Sequence, residues 1–297
     1  GAEGVWVSVF TAISAFCNAG FDLFGRFGAY SSLVPYVNNY YVQAVIMFMI
    51  MAGGLGFMVW VELAEHRKKR RLSLHAKVVL QFSVIFWVGG AALLALLEWS
   101  NPRTMGGLSV PGKIMAALFQ SVSTRTAGMN TIDLAACSPI SKLLMSVLQF
   151  IGAAPGSTGG GVKVTTFAVL ILTIRSVAQG RDDCVIGGHH IESKTVYRAL
   201  TIIVIGAVAA FGSAVVVYYN TAETVSVIDC IFESCSAFGT VGLSVGVTGQ
   251  LNTGAKLLYM ACMFMGRVGP VSLAISLTAK PDDNKCKVLP VGHINVG

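Results

Sequence analysis

The chain has 297 residues, of which 54% are hydrophobic and only 12% are charged, and its formal net charge is +7. Soluble domains are usually about a quarter charged, so this composition excludes a soluble protein, whose surface would need more charge. The basic residues cluster beside apolar stretches, which indicates membrane topology rather than nucleic-acid binding. Seven cysteines form no metal-ligand spacing, so we expect buried, reduced thiols and no cofactor. They occupy positions 17, 137, 184, 230, 235, 262 and 286.

The first quarter predicts a short helix followed by a membrane span. Residues 1–24 form the short helix and its glycine turn, and residues 25–39 are predicted to be a loop. Residues 40–65 are apolar for more than 20 positions, enough to cross about 30 Å of hydrocarbon. Gly53, Gly54 and Gly56 near the centre of this span favour close helix contact or a bend. The basic cluster at residues 66–71 predicts a cytoplasmic anchor.

The second quarter repeats this order, with a span at residues 77–98 and a second short helix at residues 110–123. Pro111 lies at the start of the short helix, a position that proline favours. A turn follows at residues 124–133. The sequence therefore predicts a second unit of the same design.

The apolar stretch at residues 140–178 is longer than one span needs and is interrupted by a glycine-rich segment. Residues 152–161 contain one proline and five glycines, which cannot hold a regular helix. We therefore predict a span broken near the middle of the membrane, whose irregular backbone must line protein or water. The spacing of a phosphate-binding loop is not met, because Val162 precedes Lys163.

The last third predicts a polar loop at residues 180–193, a span at 195–219, a short helix within 221–238 and a final span at 254–278. We expect His189 and His190 in the polar loop to be solvated. The three basic clusters fall on one face and the three glycine turns open towards the other, which predicts a cytoplasmic C-terminus. The second and third basic clusters consist of Arg175, Arg181, Lys194 and Arg198, and of Lys280, Lys285 and Lys287.

Three segments echo one another at a period too long for solenoid repeats. They are residues 10–21, 119–129 and 232–243. Each begins with Phe, has a serine four positions later, and ends in a small residue, a glycine and an apolar residue. The serines are Ser14, Ser123 and Ser236, and the glycines are Gly20, Gly128 and Gly242. This pattern favours a duplicated module with a short helix between two membrane helices.

The glycine turns have the composition of a cation filter. A dehydrated monovalent cation needs several oxygen ligands, which backbone carbonyls supply without a trapping charge. Glycine permits the required backbone angles, and short helices would direct their negative C-terminal dipoles at the ion. Glycine at ordinary helix C-caps is the alternative for one copy, but three matching copies favour a filter. The candidate ion-binding residues are Asn18, Ala19, Gly20, Phe21, Thr126, Ala127, Gly128, Met129, Thr240, Val241, Gly242 and Leu243.

The glycine-rich segment and an intramembrane arginine are the candidate gate. The segment predicts a flexible obstruction in a pore, and Arg267 in the last span is expected to face the interior and reach its carbonyls. Arg125 is expected at the outer mouth, where it braces its turn, donates to carbonyls or repels ions. Acidic residues at 22, 133, 223, 229 and 233 are expected to attract cations weakly. The gate residues are Gly156, Ser157, Thr158, Gly159, Gly160, Gly161, Lys163 and Arg267.

These five motifs, in this order, resemble the Trk/Ktr/HKT superfamily of potassium transporters, and within it the KtrB-type membrane subunit of sodium-dependent uptake systems. The resemblance implies an all-α polytopic membrane protein of four helix–pore loop–helix modules around one pore. It implies that Gly20, Gly128 and Gly242 are filter glycines of modules two to four. It also implies that residues 152–163 form an intramembrane gating loop, with Arg267 opposing it.

The resemblance further implies module boundaries at residues 1–71, 72–180 and 181–297. It implies K⁺ as substrate, Na⁺ as a coupling ion, a bacterial plasma membrane, and a homodimer on a cytosolic ring of nucleotide-binding KtrA-type subunits. The first module and the outer helix of the second have no counterpart here. We therefore expect a partial version of a longer protein that does not conduct by itself.

Two other classes of function are open. A structural or assembly subunit without transport is compatible with the missing module. An intramembrane enzyme would need paired acid and base groups, and the spans offer Ser and Cys but no intramembrane His or matched Asp. The sequence therefore favours a transporter over an enzyme.

Overall fold

The computed structural model describes residues 1–28, 30–69, 71–180, 184–221 and 224–269. Apart from one short hairpin, the regular structure of these residues is helical, so the all-α prediction is confirmed. The hairpin pairs β1 (Val185–Ile186) with β2 (His189–His190). The α-helices are α1 (Ala2–Phe16), α2 (Tyr40–Gly54), α3 (Phe57–Lys69), α4 (Leu74–Glu98), α5 (Val110–Ser123), α6 (Pro139–Phe150), α7 (Val164–Ala178), α8 (Ser193–Asn220), α9 (Val227–Gly239) and α10 (Thr253–Val268).

Helices α4 and α8 are each long and apolar enough to cross a membrane, which confirms the spans predicted at residues 77–98 and 195–219. Their outward surfaces are apolar, as a lipid-facing helix requires. On α8, Val204, Val208, Phe211 and Val215 are all exposed. The outward faces of α4 and α8 are therefore suited to contact with lipid.

The apolar stretch at residues 40–65 is not one straight helix. Helices α2 and α3 meet at an angle of 99°, and Gly56 at the break has a φ of +84°. A Cβ atom at Gly56 would lie 2.5 Å from the Pro155 carbonyl oxygen, so glycine is required there. The glycines at this point thus produce a sharp break rather than a gentle bend.

The break predicted inside residues 140–178 is confirmed, since α6 ends at Phe150 and α7 begins at Val164. We call residues 152–163 between them the glycine-rich loop. Its two ends are held together, because Gly152 N–H donates to Val162 O at 2.8 Å and Val162 N–H donates to Phe150 O at 3.1 Å. The end of α6 and the start of α7 therefore lie close together, although twelve residues of the loop separate them in sequence.

The short helices α1, α5 and α9 each pack against at least one neighbouring helix. Helix α1 packs against α2, α5 against α2 and α4, and α9 against α6, α8 and α10. Helices α5 and α9 begin at serine N-caps, Ser109 and Ser226, whose hydroxyls accept backbone N–H groups. A salt bridge of 2.7 Å joins Lys142 on α6 to Asp229 on α9. The short helices are thus held at fixed positions within the bundle.

Several predictions lie partly or wholly outside the described residues. These are the last part of the span at 254–278, the tail lysines, Cys286, Arg181 and Glu223. Of the other cysteines, five are buried, whereas Cys17 is exposed, contrary to prediction. His189 and His190 are exposed as expected, but they lie in the hairpin and have contacts, including His189 Nδ1 to Gly187 O at 3.1 Å.

Candidate functional site

The three glycine turns, residues 18–21, 126–129 and 240–243, meet at one point. Gly20, Gly128 and Gly242 have φ values of +73°, +79° and +93°, which glycine adopts readily. A Cβ atom at Gly20 would lie 3.2 Å from the Gly128 Cα, and one at Gly242 would lie 3.8 Å from the same atom. One at Gly128 would overlap the Val241 carbonyl oxygen. The glycines of all three repeats are therefore in contact.

Each turn is built in the same way. The residue two positions before the glycine has a left-handed backbone in all three: Asn18 (φ +49°), Thr126 (φ +77°) and Thr240 (φ +52°). The N–H before the glycine donates at 2.9 Å to the backbone carbonyl of the repeat's serine: Ala19 to Ser14, Ala127 to Ser123 and Val241 to Ser236. Each short helix thus ends at its turn, with its partial negative charge towards the meeting point.

The same serines also bond to the far side of the glycine. Ser14 Oγ donates to Phe21 O at 2.7 Å, and Ser236 Oγ donates to Leu243 O at 2.6 Å. Ser123 Oγ donates to Met129 O in the middle copy. The sequence indicated these serines as part of the repeat but gave them no role.

The glycine-rich loop lies across the side of the turns that Asn18, Thr126 and Thr240 form. Thr158 Oγ1 accepts from Asn18 Nδ2 at 2.8 Å. Side chains at Gly159 and Gly160 would overlap Thr126 Oγ1 and Thr240 Oγ1, respectively. Three consecutive loop residues therefore each contact one of the three turns, at the position two before its glycine.

Each glycine turn is followed by one helix, and we call α2, the interrupted pair α6 and α7, and α10 the inner helices. Backbone hydrogen bonds fasten the loop to two of them, α2 and α10. Gly53 O accepts from Thr158 N–H at 3.3 Å, and Gly54 O accepts from Ala154 N–H at 3.0 Å. On the other side, Gly161 N–H donates to Gly266 O at 3.1 Å. The loop uses the peptide groups that the break after α2 and the end of α10 leave without helical partners. Within the loop, Ser157 Oγ accepts from Gly159 N–H, and Gly156 O accepts from Phe57 N–H of α3.

Three cationic side chains donate to loop carbonyls. Lys163 Nζ bonds Gly159 O at 2.6 Å, Arg267 Nη1 bonds Thr158 O, and Arg125 Nη2 bonds Gly152 O at 2.5 Å. None of the three contacts a carboxylate within the described residues. The prediction that Arg267 reaches the loop is confirmed, although it lies in the last turn of α10, one residue before that helix ends.

For Arg125, the predicted alternative of donating to carbonyls is confirmed by its bond to Gly152 O. Arg125 is only 4% exposed and packs over the Phe86 ring, 5.0 Å from its centroid, so it is buried and does not lie at an open mouth. Its side chain lies on the side of the turn that faces the loop. Its Nε and Nη1 atoms have no protein partner in the described structure.

Four of the five acidic residues lie in the described part of the chain, and each has a hydrogen-bond or ion-pair partner there. Glu233 is 4% exposed, and its carboxylate accepts from Ser244 Oγ at 2.5 Å and from Val247 N–H at 3.0 Å. It thus holds the segment that follows the third turn. Asp22 and Asp133 cap backbone N–H groups, and Asp229 is paired with Lys142. An acid among the small and apolar residues of α9 was the signal for Glu233, but its partners could not be foreseen.

Comparison with known proteins identifies the family of this chain. Residues 1–287 match the TrkH family, described as a cation transport protein. The chain belongs to this family. The superfamily resemblance found in the motifs is therefore confirmed, and so is the fold class of an all-α membrane protein.

The chain is similar to bacterial uptake proteins along almost its whole length. It is 34% identical to the Ktr system potassium uptake protein B of Bacillus subtilis, over 100% of this chain and 64% of that protein. It is 36% identical to the potassium/sodium uptake protein NtpJ of Enterococcus hirae, over 94% of this chain and 61% of that protein. It is 37% identical to the Ktr system potassium uptake protein B of Vibrio alginolyticus, over 96% and 61%.

The fold is similar to the crystal structure of the potassium transporter TrkH from Vibrio parahaemolyticus. The TM-score is 0.71 at 18% identity, covering 93% of this chain and 64% of that one. The chain thus spans less than two thirds of the length of these relatives.

Proposed function

We propose that the protein to which this chain belongs is the potassium-translocating subunit of a channel-like uptake system, with the cation bound by backbone carbonyls of the three glycine turns. The observation that carries the proposal is the meeting of the three turns with the loop seated across them. Carbonyl oxygens at the ends of three short helices provide the ligand type and dipole direction that a monovalent cation needs. Membership of a cation transport family and the names of its relatives support potassium as the ion.

The three turns touch one another in the described structure, so a cation between them requires that they separate. The fourth module implied by the family resemblance would provide that spacing, since four segments enclose a wider axis than three. Conduction therefore belongs, in our proposal, to the protein with all four segments.

The glycine-rich loop is the gate in this proposal, and the described arrangement is its closed state. Residues 158–160 lie against the turns on the inner side, where a permeating ion would leave the filter. Lys163, Arg267 and Arg125 add positive charge at the same level, which opposes a cation there. Opening requires these donors to release the carbonyls of Gly152, Thr158 and Gly159.

We propose the remaining features on the strength of the family resemblance. They are coupling to Na⁺, a homodimer of membrane subunits, a cytosolic ring of nucleotide-binding KtrA-type subunits, and a cytoplasmic C-terminus in the bacterial plasma membrane. The name of the Enterococcus hirae relative includes both potassium and sodium, and two relatives are named as parts of a Ktr system. The basic clusters next to the spans support the orientation.

Potassium uptake by cells that lack their own uptake systems tests the filter. The complete gene product should restore growth at low K⁺, and Gly242→Asp should abolish the rescue, because a carboxylate at the meeting point would trap the ion. Gly249→Asp is the matched control, since Gly249 is exposed and has open space around its Cα. Rescue that survives Gly242→Asp at normal membrane abundance would contradict the filter. Absence of rescue by the wild type would favour a structural subunit.

A further inference from the structure

The repeat's three serines each make two hydrogen bonds to their own turn, one on either side of the glycine. The serine carbonyl accepts the N–H of the residue before the glycine, and the serine hydroxyl donates to the carbonyl of the residue after it. Both ends of the glycine are thus tied to one residue of the short helix behind it. The hydroxyl oxygens lie in buried residues, with Ser14 5%, Ser123 0% and Ser236 3% exposed.

This bonding differs from what serines in helices usually do. A helical serine hydroxyl commonly donates back to the carbonyl one turn earlier in its own helix. Ser146 on α6 does so, with Oγ donating to Lys142 O at 2.8 Å. The three repeat serines instead donate forwards, across six or seven residues and past the end of the helix. The same unusual bond in three copies is not an accident of one packing environment.

The bond fixes the direction of one carbonyl in each turn. The carbonyls of Phe21, Met129 and Leu243 must point back towards the short helix to reach their serine. They are therefore turned away from the point where the three glycines meet. A carbonyl held in this way cannot swing freely towards an ion.

We propose that Ser14, Ser123 and Ser236 are positioning residues that define the outer edge of the filter and contribute to its K⁺ over Na⁺ selectivity. This inference rests on the proposed function and narrows it, because it removes the carbonyls of Phe21, Met129 and Leu243 from the ligand set. The ligands are then the carbonyls before them in each turn. Selectivity depends on the number and rigidity of oxygen ligands, and the serine hydroxyls control both.

The middle copy is held most firmly. Its turn is one residue shorter between serine and glycine, and Met129 N–H donates to Ser123 Oγ at 3.0 Å in addition to the bond that the hydroxyl donates. Ser123 therefore loses two hydroxyl contacts on change to alanine, whereas Ser14 and Ser236 lose one. The three variants should differ in that order.

The test compares K⁺ and Na⁺ flux into vesicles containing the complete protein. Ser236→Ala should lower the K⁺/Na⁺ flux ratio about fivefold, the factor expected from one ordinary hydrogen bond, while K⁺ flux itself persists. Ser236→Thr keeps the hydroxyl and should restore the ratio. Ser146→Ala is the matched control, because it removes a buried serine hydroxyl that bonds only within its own helix, and its ratio should stay at the wild-type value.

The outcomes separate this inference from the function on which it rests. A wild-type flux ratio in Ser236→Ala, with K⁺ flux still abolished by Gly242→Asp, would overturn the role of the serines and leave the filter standing. Absence of cation flux in the wild type would overturn both. If Ser236→Ala does not reach the membrane, Ser14→Ala gives the same comparison in the first turn, with the same predicted loss of selectivity.

Discussion

The three glycine turns are alike in structure, whereas the three inner helices that follow them differ from one another. The three turns repeat one backbone conformation, including the left-handed residue, the glycine and the serine bonds. The inner helices differ: one breaks by 99° after α2, one is interrupted by the glycine-rich loop between α6 and α7, and one ends beside Arg267. Coordination of an ion needs equivalent ligands around an axis, whereas blocking the axis needs one element that differs from the rest.

Three glycines at matching positions of the inner helices show where the difference arises. Side chains at Gly53 and Gly266 would overlap the carbonyl oxygens of Phe16 and Phe238, which lie in α1 and α9, each four residues before the glycine of its turn. At Gly152 the overlapping atom is instead the Gly160 carbonyl oxygen of its own loop. Two inner helices thus press directly on their short helices, and in the third the loop takes that place.

The largest effect on K⁺ uptake is expected from a side chain added within the glycine turns, where there is no room for one. Gly128→Ala places a Cβ on the Val241 carbonyl oxygen at a φ of +79°, so we expect loss of K⁺ uptake and a clear fall in the thermal unfolding temperature. Gly89→Ala is the control, because Gly89 lies in α4 with open space around it and alanine favours a helix by about 1 kcal/mol. Normal uptake by Gly128→Ala would show that the turns are not in tight contact in the working protein.

Removal of the glycine-rich loop should raise K⁺ flux rather than abolish it. Deleting residues 156–161 takes away the three contacts with the turns, and we expect basal K⁺ flux to rise about tenfold, since roughly 1.4 kcal/mol of closed-state preference corresponds to that factor. Flux into vesicles, normalised to the amount of folded protein, measures it. Unchanged or lower flux from well-folded protein would mean that the loop is not an obstruction.

A smaller effect should distinguish the two arginines that hold the loop. Arg125→Gln removes a buried charged donor to Gly152 O, whereas Arg267→Gln removes an exposed donor to Thr158 O. A hydrogen bond from a charged group contributes more when it is buried than when water competes for both partners. We expect both variants to raise basal flux severalfold, with Arg125→Gln the greater. A larger rise in flux in Arg267→Gln would show that Arg267 contributes more than Arg125 to holding the loop in place.

The sequence predicted the parts of this architecture that depend on local chemistry. Apolar length identified α4 and α8, the proline and five glycines identified the break after Phe150, and the repeat identified the three turns. The 99° break after α2 escaped prediction in its size, because it depends on contacts with Ala154, Pro155 and Gly156 far along the chain. The partners of Arg125 and Glu233 escaped prediction for the same reason, since they are set by tertiary packing.

A reversible cross-link between the first glycine turn and the glycine-rich loop tests whether the ion pathway runs through the turns. Asn18 Nδ2 and Thr158 Oγ1 lie 2.8 Å apart, so cysteines introduced as Asn18→Cys and Thr158→Cys, in a background with Cys17→Ala, lie within reach of a short bis-methanethiosulfonate linker. We predict that this cross-link stops K⁺ flux and that a reductant, which cleaves the linker's disulfides, restores it, while each single cysteine variant keeps its flux. Undiminished flux after complete cross-linking would contradict a pathway that runs through the three turns and is closed by this loop.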